Sequence, residues 1–295
     1  MPHILTLIAA PGGLDPALLA RARAALAGIG ATPGAPDWLS EGEAVDLPFA
    51  DAPAELAAAA ARTALGDAPV DAIAQPAEGR RKRLLVADMD STIVTSETLD
   101  ELAAYAGLKD QIAAITRRSM NGELDFAQAL HERVGMLRGL EVAALEGTWA
   151  QTEMMPGAAT LVATMRAHGA VCCLASGGFT FFTGRVADRL GFDHHVSNIL
   201  LIENGKLTGK VAEPVFDRNA KLATLTRLAT ENALPMAATL AVGDGANDLD
   251  MIGAAGLGIA YHAKPIVAAA ARARVDYNDL LALLFAQGYR RSEFR

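Results

Sequence analysis

Leu84-Leu85-Val86-Ala87 is an unbroken apolar run, followed at once by Asp88-Met89-Asp90. A strand with one wet face alternates apolar and polar side chains. A run without alternation marks a strand covered on both faces, the condition of a strand inside a parallel sheet. Similar runs recur at Ala170–Ala175 and Ala238–Val242, and more weakly at Gly258-Ile259-Ala260. Helical patterns at about 157–168, 180–190 and 218–231 lie between them. Strands alternating with helices predict an α/β fold with a doubly wound, mostly parallel sheet. Ligands of such sheets bind beyond the carboxyl ends of the strands, so the residues that follow each run carry the information about chemistry.

The rest of the chain is read around that sheet. Between the first two runs lies a mostly helical segment, about 96–155, too long for a simple crossover and expected to be an inserted helical cap. A short hairpin is expected near 198–211, where Asn204-Gly205 suits a type I′ turn. Residues 1–75 predict a separate α+β unit. His3–Ile8 reads as a strand, Asp15-Pro16 opens a helix ending near Gly28 and Gly30, and two weak strands follow around 37–39 and 44–47. A second helix at about 53–65 and a strand near 70–73 complete the order βαββαβ, that of a ferredoxin-like fold. Residues 76–83, with the run Arg80-Arg81-Lys82-Arg83, read as a solvated linker, and 84–295 as the α/β domain carrying the cap.

Composition narrows the function classes. The chain has 295 residues, 52% hydrophobic and 20% charged, with 27 Gly and 13 Pro, which suits a globular protein and excludes low-complexity character. Net charge is −8, and residues 1–80 hold ten acids against four arginines. A nucleic-acid partner would call for a basic surplus, so none is expected. No apolar run approaches the ~18 residues of a membrane span, and Met1-Pro2-His3-Ile4 lacks a basic leader region, so no membrane partner is expected and the default location is cytosolic. Adjacent Cys172 and Cys173 point to opposite faces of an extended segment and suit burial better than pairing. His194-His195 reads as a loop pair, Trp38 and Trp149 as packing groups, and Leu280–Ala286 as an apolar helix face.

Four segments can carry chemistry. In an extended chain Asp88 and Asp90 project to the same side, and two carboxylates there repel unless a cation or a proton relieves them. Mg²⁺, held by one or two carboxylates plus substrate phosphate, is the natural partner. One carboxylate can then attack phosphorus while the other moves protons. Gly243-Asp244-Gly245-Ala246-Asn247-Asp248 follows another run, its glycines permitting a tight turn that aims Asp244 and Asp248 at the same edge. Ser176-Gly177-Gly178 reads as a strand end before a helix, where N–H groups and a hydroxyl would cradle phosphate, with a plain glycine-rich turn as the alternative. Lys221 begins the helix that follows Asp217.

An aspartate pair, Ser-Gly, Lys and Gly-Asp-x-x-x-Asp in this order resemble the four motifs of the haloacid dehalogenase-like phosphatases, over roughly 84–260. The resemblance implies that Asp88 is the nucleophile forming an aspartyl-phosphate and that Asp90 protonates the leaving alcohol and then activates water. It implies that Ser176, Gly177 and Lys221 bind phosphoryl oxygens. Mg²⁺ would be ligated by Asp88, the Asp90 main-chain carbonyl and Asp244, with Asp248 and Asn247 in support. Glu97, seven residues beyond Asp90, and Phe126 with Arg133-Val134-Gly135-Met136-Leu137 in the cap are similar to the branch of that superfamily acting on phosphoserine. For that substrate Glu97 would receive the ammonium, Arg133 would clamp the carboxylate, and Met120 and Phe126 would line the apolar side. Hydrolysis of O-phospho-L-serine, the last step of serine synthesis, is the implied activity, with cap closure excluding water. A related phosphatase of another amino-alcohol phosphate, transfer to another alcohol, and an amino-acid-sensing protein with a vestigial phosphatase domain stay open. Residues 1–75 resemble the ACT-type ligand-sensing domain, and a homodimer is also left open.

Overall fold

In chain order the first elements are β1 (His3–Ala9), α1 (Pro16–Gly28), β2 (Thr32–Pro33), β3 (Asp37–Ser40), β4 (Ala44–Ala50), α2 (Ala54–Leu65) and β5 (Val70–Pro76), in a computed structural model that describes residues 1–295. β4 and β5 flank β1 antiparallel, and both β2 and β3 pair with β4. Alternation drives the packing: Leu5, Leu7 and Ala9 share one face with Val45, Leu47 and Phe49, and that face is buried under Ala22 and Leu26 of α1 and Ala57 and Ala61 of α2. Asp15 caps α1 by accepting the Leu18 N–H at 2.8 Å, and Pro16 stands where a missing N–H costs nothing.

The chain continues with β6 (Leu84–Ala87) and then the helices α3 (Thr98–Ala104), α4 (Lys109–Met120), α5 (Phe126–Met136), α6 (Ala143–Gln151) and α7 (Ala158–Ala167). β7 (Val171–Phe179), α8 (Thr180–Leu190), β8 (His194–Asn198), β9 (Leu200–Glu203), β10 (Lys206–Val211) and α9 (Arg218–Glu231) follow. The last elements are β11 (Thr239–Gly243), α10 (Leu249–Ala254), β12 (Leu257–Tyr261), α11 (Pro265–Ala270), β13 (Ala273–Val275) and α12 (Ala282–Ala286). The parallel strands lie in the order β12-β11-β6-β7-β8, with β6, the strand carrying Asp88 at its end, near the middle. Every residue of β6, β11 and β12 is buried, as the unbroken runs require. Leu84 and Val86 pack with Cys173, Ala175 and Ala241 under Leu225, Leu228 and Met251. β9 and β10 form the hairpin, with Asn204 and Gly205 both at positive φ (51° and 76°), as a type I′ turn demands. Cys172 and Cys173 are buried thiols that form no disulfide, and burial pushes the Cys173 thiol up to about 12.

Two compact units result: Met1–Arg83 with Pro156–Ala170 and Arg272–Arg295, and Leu84–Met155 with Val171–Ala271. This division departs from the sequence boundary at 83, because side chains of the first unit claim the chain's end. The buried Asp71 carboxylate accepts the N–H groups of Asp276 (2.7 Å) and Asn278 (3.1 Å), and Gln75 Nε2 donates to the Ala286 carbonyl at 2.6 Å. The expected solvated linker is also corrected. Arg80 is buried and pairs with Asp46 at 2.5 Å, and Lys82 is buried with its N–H on Gln287 Oε1 at 3.0 Å. The expected loop pair His194-His195 lies instead in β8. Leu280 and Leu283–Ala286 are buried throughout rather than on one face. No helix is long and apolar enough to cross a membrane.

Candidate active site

Asp88 stands one residue past β6, its N–H donating to the Val242 carbonyl of β11 at 3.0 Å, so the sheet itself sets its position. Its Oδ1 lies 2.7 Å from Lys221 Nζ, which is also 2.6 Å from Asp248 Oδ1. Lys221 is fully buried. Asp217 starts α9 by accepting the Ala220 N–H at 3.0 Å, and the next residue of that first turn aims its side chain under Asp88. Burial alone would lower the Lys221 pKa, but Asp248 and Asp88 outweigh it and hold the ammonium charged.

Asp90 Oδ1 accepts the N–H of Thr98, the first residue of α3, at 2.8 Å, while its Oδ2 is 3.4 Å from Ser176 Oγ. Burial, with Glu97 and Asp88 adding repulsion, pushes the Asp90 carboxyl up to about 8. The direction of that shift favours the protonated form, the form that can donate a proton. Glu97 accepts the Ser91 hydroxyl at 2.8 Å and is also raised, chiefly by burial.

Ser176-Gly177-Gly178 stands at the strand end expected for it, before a helix, and not in the alternative glycine-rich turn. These residues extend β7, which runs on to Phe179, and α8 starts only at Thr180. The glycines serve close approach: a Cβ on Gly177 would meet Phe126 Cζ at 2.6 Å, and one on Gly178 would meet Asp90 Oδ2 at 2.8 Å. The same reason replaces the turn argument at Gly243 and Gly245, neither of which has positive φ. A Cβ there would strike Asp248 Cγ at 2.3 Å or Met120 Sδ at 2.8 Å.

One pocket gathers most of the expected residues. Asp88, Asp90, Asp244 and Asn247 line it from the sheet end, Ser176 and Gly177 from β7, and Glu97, Met120, Phe126 and Arg133 from the cap. Lys221 and Asp248 are not in its wall; they lie behind Asp88. Arg133 is buried, so it and Glu97 are pocket groups rather than solvated helix charges.

The acidic cluster fits a hard divalent cation. Oxygen atoms of Asp88, Asp244 and Asp248 lie within 4.8 Å of one another. Asp248 spends Oδ1 on Lys221 and Oδ2 on the Gly245 N–H at 3.1 Å, which suits support rather than ligation. Asp244 Oδ2, in contrast, is buried with no hydrogen-bond donor, and burial with Glu97 and Asp88 raises that carboxyl well above the usual range. An all-oxygen donor set in which one buried carboxylate oxygen lacks a hydrogen bond suits a cation of this class.

Sequence reasoning missed two residues here. Lys264 Nζ lies 3.5 Å from Asp244 Oδ2 and its N–H donates to the Asp244 carbonyl at 2.9 Å. Its place between the end of β12 and the Pro265 that opens α11 was the available signal. Buried Asn198 donates to the Gly177 carbonyl at 2.9 Å and accepts the Phe216 N–H at 2.7 Å, tying β7 to the segment before α9. No local pattern marks it.

The chain is similar to known proteins over much of its length. Residues 85–253 match the haloacid dehalogenase-like hydrolase family. A phosphoserine phosphatase of Streptomyces coelicolor is 41% identical over 241 residues, covering 82% of this chain and 58% of that protein. One from Lactococcus lactis is 41% identical over 203 residues, covering 69% of this chain and 94% of that protein. The chain thus spans little more than half the length of the former and nearly all of the latter. A solved structure described as a phospho-aspartyl intermediate analogue of phosphoserine phosphatase superposes with a TM-score of 0.67 at 37% identity, covering 69% of this chain and 98% of that one. Matched to it over more than half of its length, the chain belongs to the haloacid dehalogenase-like hydrolase family.

Proposed function

We propose that this protein is a Mg²⁺-dependent phosphatase that hydrolyses O-phospho-L-serine to L-serine and inorganic phosphate, the closing step of serine synthesis, in the cytosol. One observation carries the reading. The pocket has a lysine-backed carboxylate, Asp88, on its sheet side and an acid and an arginine, Glu97 and Arg133, on its cap side. A phosphate ester whose other end bears an ammonium and a carboxylate matches that distribution of charge. The names of the curated relatives support the same substrate, and the phospho-aspartyl neighbour supports Asp88 as the nucleophile.

The chemistry assigned to each residue follows from its surroundings. An Asp88 carboxylate oxygen attacks phosphorus, the ester P–O bond breaks, and its electron pair goes to the seryl oxygen, which takes the proton held by Asp90. Asp90, now a carboxylate, removes a proton from water. The water oxygen attacks phosphorus, the bond to Asp88 breaks, and inorganic phosphate leaves. Lys221 keeps Asp88 aligned and offsets its charge, and Asp248 keeps Lys221 in place. Ser176 and Gly177 orient phosphoryl oxygens, and Arg133 can clamp the substrate carboxylate with parallel hydrogen bonds. Asp88, Asp244 and the Asp90 main-chain carbonyl would hold Mg²⁺, with Asn247 beside them; bound there, it supplies neutralisation of phosphoryl charge.

The test is phosphate release from phosphoserine, phosphothreonine, phosphoethanolamine and p-nitrophenyl phosphate, with Mg²⁺ or with EDTA. Turnover should need Mg²⁺, favour phosphoserine and vanish in Asp88→Asn. Equal turnover of phosphoethanolamine would replace the substrate assignment with another amino-alcohol phosphate. Full activity in Asp88→Asn would remove the mechanism.

A further inference from the structure

Behind Arg133 runs a hydrogen-bonded chain that the reaction does not itself use. Asp100 in α3 is buried, 8% exposed, and its Oδ1 accepts the Thr116 hydroxyl of α4 at 2.6 Å. Thr116 Oγ1 in turn accepts Arg133 Nη1 of α5 at 3.0 Å. The same hydroxyl lies 3.1 Å from the Ile112 carbonyl, but it has one proton, and the shorter, charged contact with Asp100 takes it. Arg133 Nε donates to the Ala129 carbonyl at 3.0 Å. Two of the three guanidinium nitrogens are therefore fixed from the protein side, and Nη2 has no protein partner, on a residue that lines the pocket.

A direct Asp–Arg pair would cover one edge of the guanidinium with a carboxylate and compete with any anionic ligand. A hydroxyl interposed between them keeps the orientation while leaving the carboxylate one residue removed. Asp100 nevertheless supports the buried positive charge, since its field raises the Arg133 pKa against the larger lowering effect of burial.

We infer that Asp100 and Thr116 are positioning residues for Arg133, a carboxylate–hydroxyl–guanidinium relay across three cap helices that sets the preference for phosphomonoesters bearing a carboxylate. The inference rests on the reading of Arg133 as the carboxylate clamp. It locates part of the substrate specificity in two residues outside the pocket wall, neither of which lines the cavity.

The experiment compares kcat and KM for phosphoserine and phosphoethanolamine in the full chain and in Thr116→Val, which keeps the side-chain shape and removes the relay. Loss of one hydrogen bond to a charged group should lower kcat/KM for phosphoserine about tenfold, about 1.4 kcal/mol, mostly through KM. Phosphoethanolamine, with no carboxylate, should change by less than about twofold on the same argument. Thr116→Ser should restore the preference, and Thr116→Val should have no further effect in an Arg133→Ala background. A loss shared equally by both substrates, or an unchanged preference in a folded Thr116→Val, overturns the inference. Should Thr116→Val fail to fold, Asp100→Asn, which keeps the shape and removes the charge, is held to the same two outcomes. A native protein without preference for phosphoserine would overturn the clamp and the relay together, whereas a preference untouched by these variants overturns the relay alone.

Discussion

Gly177→Ala tests whether β7 and the cap form one wall of the pocket. The added methyl would stand 2.6 Å from Phe126 Cζ and 3.1 Å from Cε2. Carbon atoms rest at about 3.5–4.0 Å, so the ring must retreat by about 1 Å. Phe126 opens α5, whose Asp125 cap accepts the Gln128 N–H at 2.9 Å, and the same helix carries Arg133, so the retreat is resisted and transmitted. Overpacking of this kind costs about 1–3 kcal/mol. At about 2–4 °C per kcal/mol for a unit of this size, melting falls by a few degrees to about ten. Displacing a substrate-lining group by about 1 Å lowers turnover by on the order of 100-fold. Calorimetry and kcat/KM for phosphoserine read both effects. The double variant Gly177→Ala/Phe126→Leu should recover much of the lost stability, because the smaller side chain yields the space. Unchanged melting and turnover in Gly177→Ala, or no relief from Phe126→Leu, would refute the close packing of strand against cap.

Two further outcomes follow from buried groups. Asp248→Asn leaves buried Lys221 with Asp88 as its one carboxylate; breaking a buried pair costs about 3–5 kcal/mol, so thermal unfolding should shift downward and phosphate release should collapse with it. A variant as stable as the native chain would remove Asp248 from its supporting role. Cys172 and Cys173 should resist a thiol reagent such as Ellman's reagent in the native state and react fully in guanidinium, because both are buried and the Cys173 thiol is pushed up to about 12. Rapid labelling of the folded protein would contradict their place in β7.

Much of this architecture was legible because it depends on local pattern. The unbroken runs gave β6, β7, β11 and β12, and Asp217 before an apolar helix gave α9 with Lys221 in its first turn. Asp88, Asp90 and Asp244 were readable for a related reason, since strand ends in a parallel sheet converge where the loops begin, whereas Glu97, Met120, Phe126 and Arg133 in the cap were reached only through the family resemblance. What escaped depends on partners distant in sequence. Arg80 and Lys82 have the composition of a solvated linker, yet Arg80 is buried against Asp46, 34 residues away. Asp71 captures the backbone of 276–278, some 205 residues on, and so moves the chain's end into the first unit. Ser176-Gly177-Gly178 has turn composition, but its glycines answer crowding by Phe126 and Asp90, which no one-dimensional pattern records. Asp100 and Thr116 look like ordinary helix residues until three helices bring them to Arg133.

The central claim is that the phosphoryl group passes through the Asp88 side chain. Mixing the enzyme with phosphoserine and Mg²⁺, quenching in acid within milliseconds and mapping the peptides by mass spectrometry tests it most directly. The account predicts one phosphorylated peptide, containing Asp88, that forms and decays at rates matching turnover and is missing from Asp88→Asn. A kinetically competent adduct on any other residue, or turnover with no adduct at all, would contradict it.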